Sequence, residues 1–179
     1  MSEVKETGNA SEAASFFTSS FPWDDVAADC IVIACSDHRF RKQTGEFLEH
    51  LGYKTPHVIM FPAGPALLHP LTAVMGVFTK AVDHLLEKAI AAAKPHGSTE
   101  PTDVVCISHE RCAAYKAGGV KLIDLASRHL IGKSVKDLQI EHLKKTARRV
   151  SSTFGNVRVK AYVAEVVDDK SVHFKHIDF

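Results

Sequence analysis

Asp29-Cys30-Ile31-Val32-Ile33-Ala34-Cys35 is the stretch that decides the fold. It is a short, continuous apolar run rich in β-branched residues, the pattern of a strand buried on both faces of a parallel sheet. Asp103–Ser108 (Asp-Val-Val-Cys-Ile-Ser) repeats that pattern, and His57–Phe61 is a further strand, ended by Pro62-Ala63-Gly64-Pro65. Helical patterns lie between them. One covers about Arg41–Leu51 and is stopped by Gly52. The strongest starts at Leu71 and places Leu71, Val74, Met75, Phe78, Val82, Leu85, Leu86, Ala89, Ile90 and Ala93 at helical spacing before Lys94-Pro95-His96-Gly97 breaks it. A third spans Ser134–Phe154, with Ser134 as N-cap and Val135, Leu138, Leu143, Ala147, Val150 and Phe154 on one face. Val157–Val166 and Ser171–Ile177 form a closing hairpin around Asp168-Asp169-Lys170. Strands alternating with long helices imply an α/β fold with right-handed crossovers and a parallel sheet. The hairpin adds one antiparallel edge strand.

The chain has 179 residues, enough for one domain, expected over 27–179. Residues 1–12 are polar and read as a disordered tail. Residues 13–26 carry Phe16, Phe17, Phe21 and Trp23 and read as an arm that packs on its own domain or on a partner subunit. Lys plus Arg is 22 and Asp plus Glu is 21, a net charge of +1. That balance argues against a nucleic-acid binder, which needs a basic surface. The longest apolar runs, Ile31–Cys35 and Ala73–Phe78, are far below the ~18 residues of a membrane span. No basic stretch followed by an apolar core opens the chain, and Glu3, Glu6 and Glu12 argue against a transit peptide, so the expected compartment is the cytoplasm. Asn9-Ala10-Ser11 matches a glycosylation acceptor by chance on this reading.

Of the four cysteines, Cys30 and Cys106 fall in apolar strands and read as small hydrophobes. Cys35 and Cys112 differ. In α/β sheets, ligands bind beyond the carboxyl ends of the strands. The first strand ends in Cys35-Ser36-Asp37-His38-Arg39 and the third in His109-Glu110-Arg111-Cys112. If the two strands are neighbours, Cys35, His109 and Cys112 converge. Two thiolates and an imidazole suit zinc and leave a fourth position open, as catalytic sites do.

These two motifs, in this order, resemble those of the β-class carbonic anhydrases, over about residue 27 to Phe179. The resemblance implies a parallel four-stranded sheet with an added antiparallel strand, and a homodimer or multiple of dimers embraced by N-terminal arms. It implies zinc held by Cys35, His109 and Cys112, and hydration of carbon dioxide to bicarbonate by a zinc-bound hydroxide. Asp37 would orient that oxygen and Arg39 would hold Asp37 by a bidentate pair. Were the pair to break, Asp37 would become a fourth ligand and close the site. A small apolar pocket is expected beside the metal, with Phe40 and Phe61 as wall candidates and core packing as their alternative role.

The departures bear on substrate. Ala113 and Ala114 stand where the family has glycines, Phe61-Pro62-Ala63-Gly64-Pro65 keeps only an Ala-Gly core, and no glutamine occurs in the N-terminal segment. A hydrolase of carbonyl sulfide or carbon disulfide, or an inactive zinc-binding relative, is therefore the alternative. A thiol phosphatase is a weaker rival: Cys35 and Arg41 have the spacing of a phosphate loop, but Ser36–Phe40 lacks glycine and Asp37 would repel phosphate. His38 is a spacer or a proton shuttle. His69, His84, His129 and His142 are expected to be solvated, as is the Lys144-Lys145, Arg148-Arg149 cluster. His173 and His176, three apart in a strand, make a poor ligand pair.

Overall fold

The computed structural model describes residues 26–68, 76–93, 100–116, 134–168 and 170–179. The tail, nearly all of the expected arm, Leu71, Val74, Met75, His69 and His129 lie outside them. The elements are β1 (Cys30–Cys35), a 3-10 turn (His38–Phe40), α1 (Arg41–His50), β2 (His57–Phe61), a second 3-10 segment (Gly64–Leu68) and α2 (Gly76–Ala92). Then come β3 (Thr102–His109), the single turn α3 (Ala113–Lys116), α4 (Val135–Thr153), β4 (Val157–Val167) and β5 (Ser171–His176).

The fold is the expected α/β class. Five strands form one sheet in the order β2-β1-β3-β4-β5, parallel from β2 to β4, with β5 antiparallel at the edge. β1 and β3 sit in the middle. Cys30, Ile31, Val32 and Ile33 have no exposed surface, nor do Val104, Val105 and Cys106. Burial on both faces explains why these strands read as unbroken apolar runs. The free thiols of Cys30 and Cys106 are packed in this interior.

One face carries Ile31, Ile33, Val104, Cys106, Ala161 and Val163 against Leu86 and Ile90 of α2 and Leu143, Ala147 and Val150 of α4. The other carries Val32, Ala34, Val105 and Ile107 against Leu48 and Phe47 of α1. Gly52 ends α1 with φ +91°, where a side chain would be strained. Ser134 caps α4, accepting from the Asp137 N–H while the Asp137 carboxylate receives the Ser134 N–H.

Four expectations are corrected. Leu85 is 47% exposed, not part of the apolar face of α2. At about 100° per residue it lies beyond one edge of the stripe formed by Val82, Leu86, Ala89 and Ile90. Val135 is also exposed, in the first turn of α4. His142 is buried, its Nδ1 3.1 Å from the Tyr115 hydroxyl. Arg149 does not join a wet face: it is half-buried and ties α4 to Asp83 of α2. Lys145 pairs with Glu141 on the same helix. No helix among the described residues is long and apolar enough to cross a membrane.

Candidate metal centre

The strand order creates the site. From β1 the chain moves to β2 on one side, then returns to place β3 on the other. The carboxyl ends of β1 and β3 therefore flank the point where the winding reverses, the usual crevice of an open α/β sheet. Cys35 is the last residue of β1 and His109 the last of β3. Cys112 follows after a tight turn in which Arg111 adopts φ +55°, a strained conformation for a non-glycine residue.

One ligand atom from each of Cys35, His109 and Cys112 lies within 4.8 Å of the others. Two sulfurs each about 2.3 Å from a tetrahedral zinc stand about 3.8 Å apart, and the Cys35 and Cys112 sulfurs are 3.7 Å apart. At that distance either thiol can donate to the other. Cys112 is held below the ordinary thiol range, chiefly by its hydrogen bond with Cys35, against burial. Cys35 is raised, by that same hydrogen bond and then by burial. Backbone N–H groups of Asp37 and Ala63 approach Cys35, and that of Ala114 approaches Cys112, and all three favour thiolates.

His109 is only 3% exposed, with Phe40 packed on its ring at 4.2 Å between centroids. Its Nδ1 lies 2.7 Å from the Glu110 carbonyl. A carbonyl only accepts, so Nδ1 carries the proton and Nε2 presents a lone pair. That Nε2 is buried with no hydrogen-bond partner among the described residues. A lone pair orphaned beside two sulfurs is the arrangement a divalent cation would satisfy, and the soft donor set fits zinc.

Asp37 and Arg39 form the expected bidentate pair, Nε to Oδ1 at 2.9 Å and a terminal nitrogen to Oδ2 at 2.6 Å. Arg39 also donates to the Arg111 carbonyl at 3.0 Å, joining the two motifs. Its guanidinium holds the Asp37 carboxyl well below the usual range, at about 2. Asp37 Oδ2 stands 3.9 Å from His109 Nε2. A cavity of about 390 Å³ opens here, polar along Ser36, Asp37 and Arg39 and apolar along Pro62, Ala63, Ala113 and Ala114. Phe40 and Phe61 are not in its wall. Phe40 backs the imidazole, and Phe61 packs against the core. His38 is exposed, and so is Arg41, which does not line this cavity.

Some contributors had no clear sequence signal. The strain at Arg111 has none. Gln139, His142 and Thr146 are buried polar residues on the apolar stripe of α4, and their helical spacing was the available clue.

No family model and no curated protein matches the chain. Among solved structures, the carbonic anhydrase from Glaciozyma antarctica is similar at a TM-score of 0.46 and 14% identity, over 85% of this chain and 83% of that one.

Proposed function

We propose that the protein is a zinc-dependent enzyme that reversibly hydrates carbon dioxide to bicarbonate, with Cys35, His109 and Cys112 as the metal ligands. The observation that carries this reading is the Nε2 of His109, unpartnered among the described residues, beside two sulfurs at tetrahedral spacing. Zinc there would act as a Lewis acid that lowers the pKa of bound water. The residues of the chain supply the rest. Asp37, ionised and locked by Arg39, accepts a hydrogen bond from the attacking water and turns its lone pair toward the cavity. Arg39 keeps Asp37 drawn away from the ligands, so the fourth position stays free. Pro62, Ala63, Ala113 and Ala114 form the apolar wall that a small uncharged substrate needs.

The departures at Ala113 and Ala114, which line the cavity, leave a second reading, hydrolysis of carbonyl sulfide or carbon disulfide, small linear electrophiles of the same kind. The homodimer implied by the resemblance, with residues 13–26 on the partner, remains part of the proposal. Stopped-flow hydration of carbon dioxide by zinc-loaded protein, beside Cys35→Ala, is the test. Activity confined to the unsubstituted protein is expected, and equal rates overturn the enzymatic reading. Sulfide release from carbon disulfide without carbon dioxide hydration would select the second one.

A further inference from the structure

We propose that Gln139 is a positioning residue of this centre, holding the main chain of His109 so that its ring meets the two sulfurs. The inference rests on the reading of His109 as a metal ligand. Gln139 is 2% exposed, and its Nε2 donates to the His109 carbonyl at 3.0 Å. Peptide groups alternate in direction along a strand. The Glu110 N–H donates to Ala164 of β4, so the His109 carbonyl faces the β1 side. There the β1–β3 register ends at Ala34 and Ile107, and the chain leaves the sheet after Cys35. The carbonyl lies beyond the ladder, in the interior, where a missing partner is costly. Gln139 supplies the donor.

The neighbouring contacts show why this hydrogen bond bears on the metal. Lys136, three residues before Gln139 and so on the same side of α4, holds the Glu110 carboxylate at 3.0 Å. Glu110 also receives the Val166 N–H at 3.3 Å. The capping box fixes where α4 begins, and Lys136 and Gln139 reach one short segment from its first turns. That segment contains the Glu110 carbonyl, which selects the His109 tautomer by accepting from Nδ1. Loss of the Gln139 amide leaves the His109–Glu110 peptide held at one end only, by the Glu110 N–H on Ala164, and lets it tilt. The Nδ1 bond then loosens, and the tautomer with a lone pair on Nε2 is no longer enforced. Partners that orient a ligating imidazole typically contribute about 10–100-fold to metal affinity.

The test uses Gln139→Met, which keeps length and apolar packing but has no donor. Zinc affinity is measured by chelator competition, and ligand geometry by the absorption of the cobalt(II)-loaded protein. About tenfold weaker zinc binding is expected, with shifted cobalt d–d bands and retained sulfur-to-cobalt charge transfer. Gln139→Asn pulls the amide back by one methylene and gives the same result should the Met variant not fold. Val150→Ala, a fully buried site at the far end of α4, lowers stability while leaving affinity and spectrum unchanged. Wild-type affinity and bands in the Gln139 variants, or an equal change in Val150→Ala, overturn the proposal. Wild-type protein that takes up neither metal would instead remove the reading of His109 as a ligand, so the two failures are separable.

Discussion

Gly64 lies against the backbone of Cys35 so closely that a Cβ on Gly64 would stand 2.8 Å from the Cys35 nitrogen. Gly64 also has φ +58°, and Ala63 before it φ +67°. The turn after β2 thus wraps the end of β1, and the Ala63 N–H reaches the Cys35 sulfur.

Gly64→Ala therefore meets rigid backbone as well as an unfavourable φ. The expected cost is about 1–3 kcal/mol of stability, with weaker zinc binding because Cys35 is displaced. Urea denaturation and chelator competition on the same variant check both. Unchanged zinc affinity would show that the sulfur tolerates the shift.

Zinc stoichiometry separates the cysteines. About one zinc per chain is expected in the unsubstituted protein. Cys35→Ala, His109→Ala and Cys112→Ala should each lose it. Cys30→Ala and Cys106→Ala, in the interior of β1 and β3, should retain it despite lower stability. Metal analysis after dialysis reads the difference.

Asp37→Ala should keep the metal and lose hydration activity by about 10²-fold or more. Loss of zinc in this variant would mean that Asp37 is chiefly a ligand. Arg39→Gln should also lower activity, because it frees Asp37 and unties Arg39 from the Arg111 carbonyl. Paired metal analysis and stopped-flow rates distinguish these outcomes.

At the opposite end of the sheet, Asp103 is expected to contribute to acid stability. Burial alone would raise its pKa, but hydrogen bonds from Tyr53, Arg158 and Lys160 outweigh it, and the net shift is downward. A carboxylate with a depressed folded pKa adds stability that is present above its unfolded value, about 3.9. That stability is lost as pH falls through the folded pKa. Asp103→Asn should cost about 1–2 kcal/mol at neutral pH, discounted for the exposure of Arg158 and Lys160. The gap to the unsubstituted protein should close as pH drops below about 4. Urea midpoints across pH measure it.

What the sequence revealed follows from where physical constraints are local. β1 and β3 were legible because burial on both faces leaves no room for polar residues between Cys30 and Ala34 or between Val104 and Ile107. Cys35, His109 and Cys112 were legible as ligand types, but their meeting depended on β1 and β3 being neighbours, which no local pattern dictates. Leu85 and Val135 were misassigned because periodicity gives the phase of a helix and not the width of the sector its neighbours cover. Gln139 to His109 and Arg39 to Arg111 join residues 30 and 72 positions apart, so their hydrogen bonds left no mark in either motif.

The reversal of winding between β1 and β3 has a thermodynamic corollary. Its donors come from segments 74 positions apart, Cys35 and His109, so neither segment alone offers a high-affinity chelate. Uptake of the ion would follow pairing of the two strands, and the bound ion would then act as a clasp that slows their separation. By mass action the melting temperature should climb with free zinc, making thermal scans a direct gauge of occupancy.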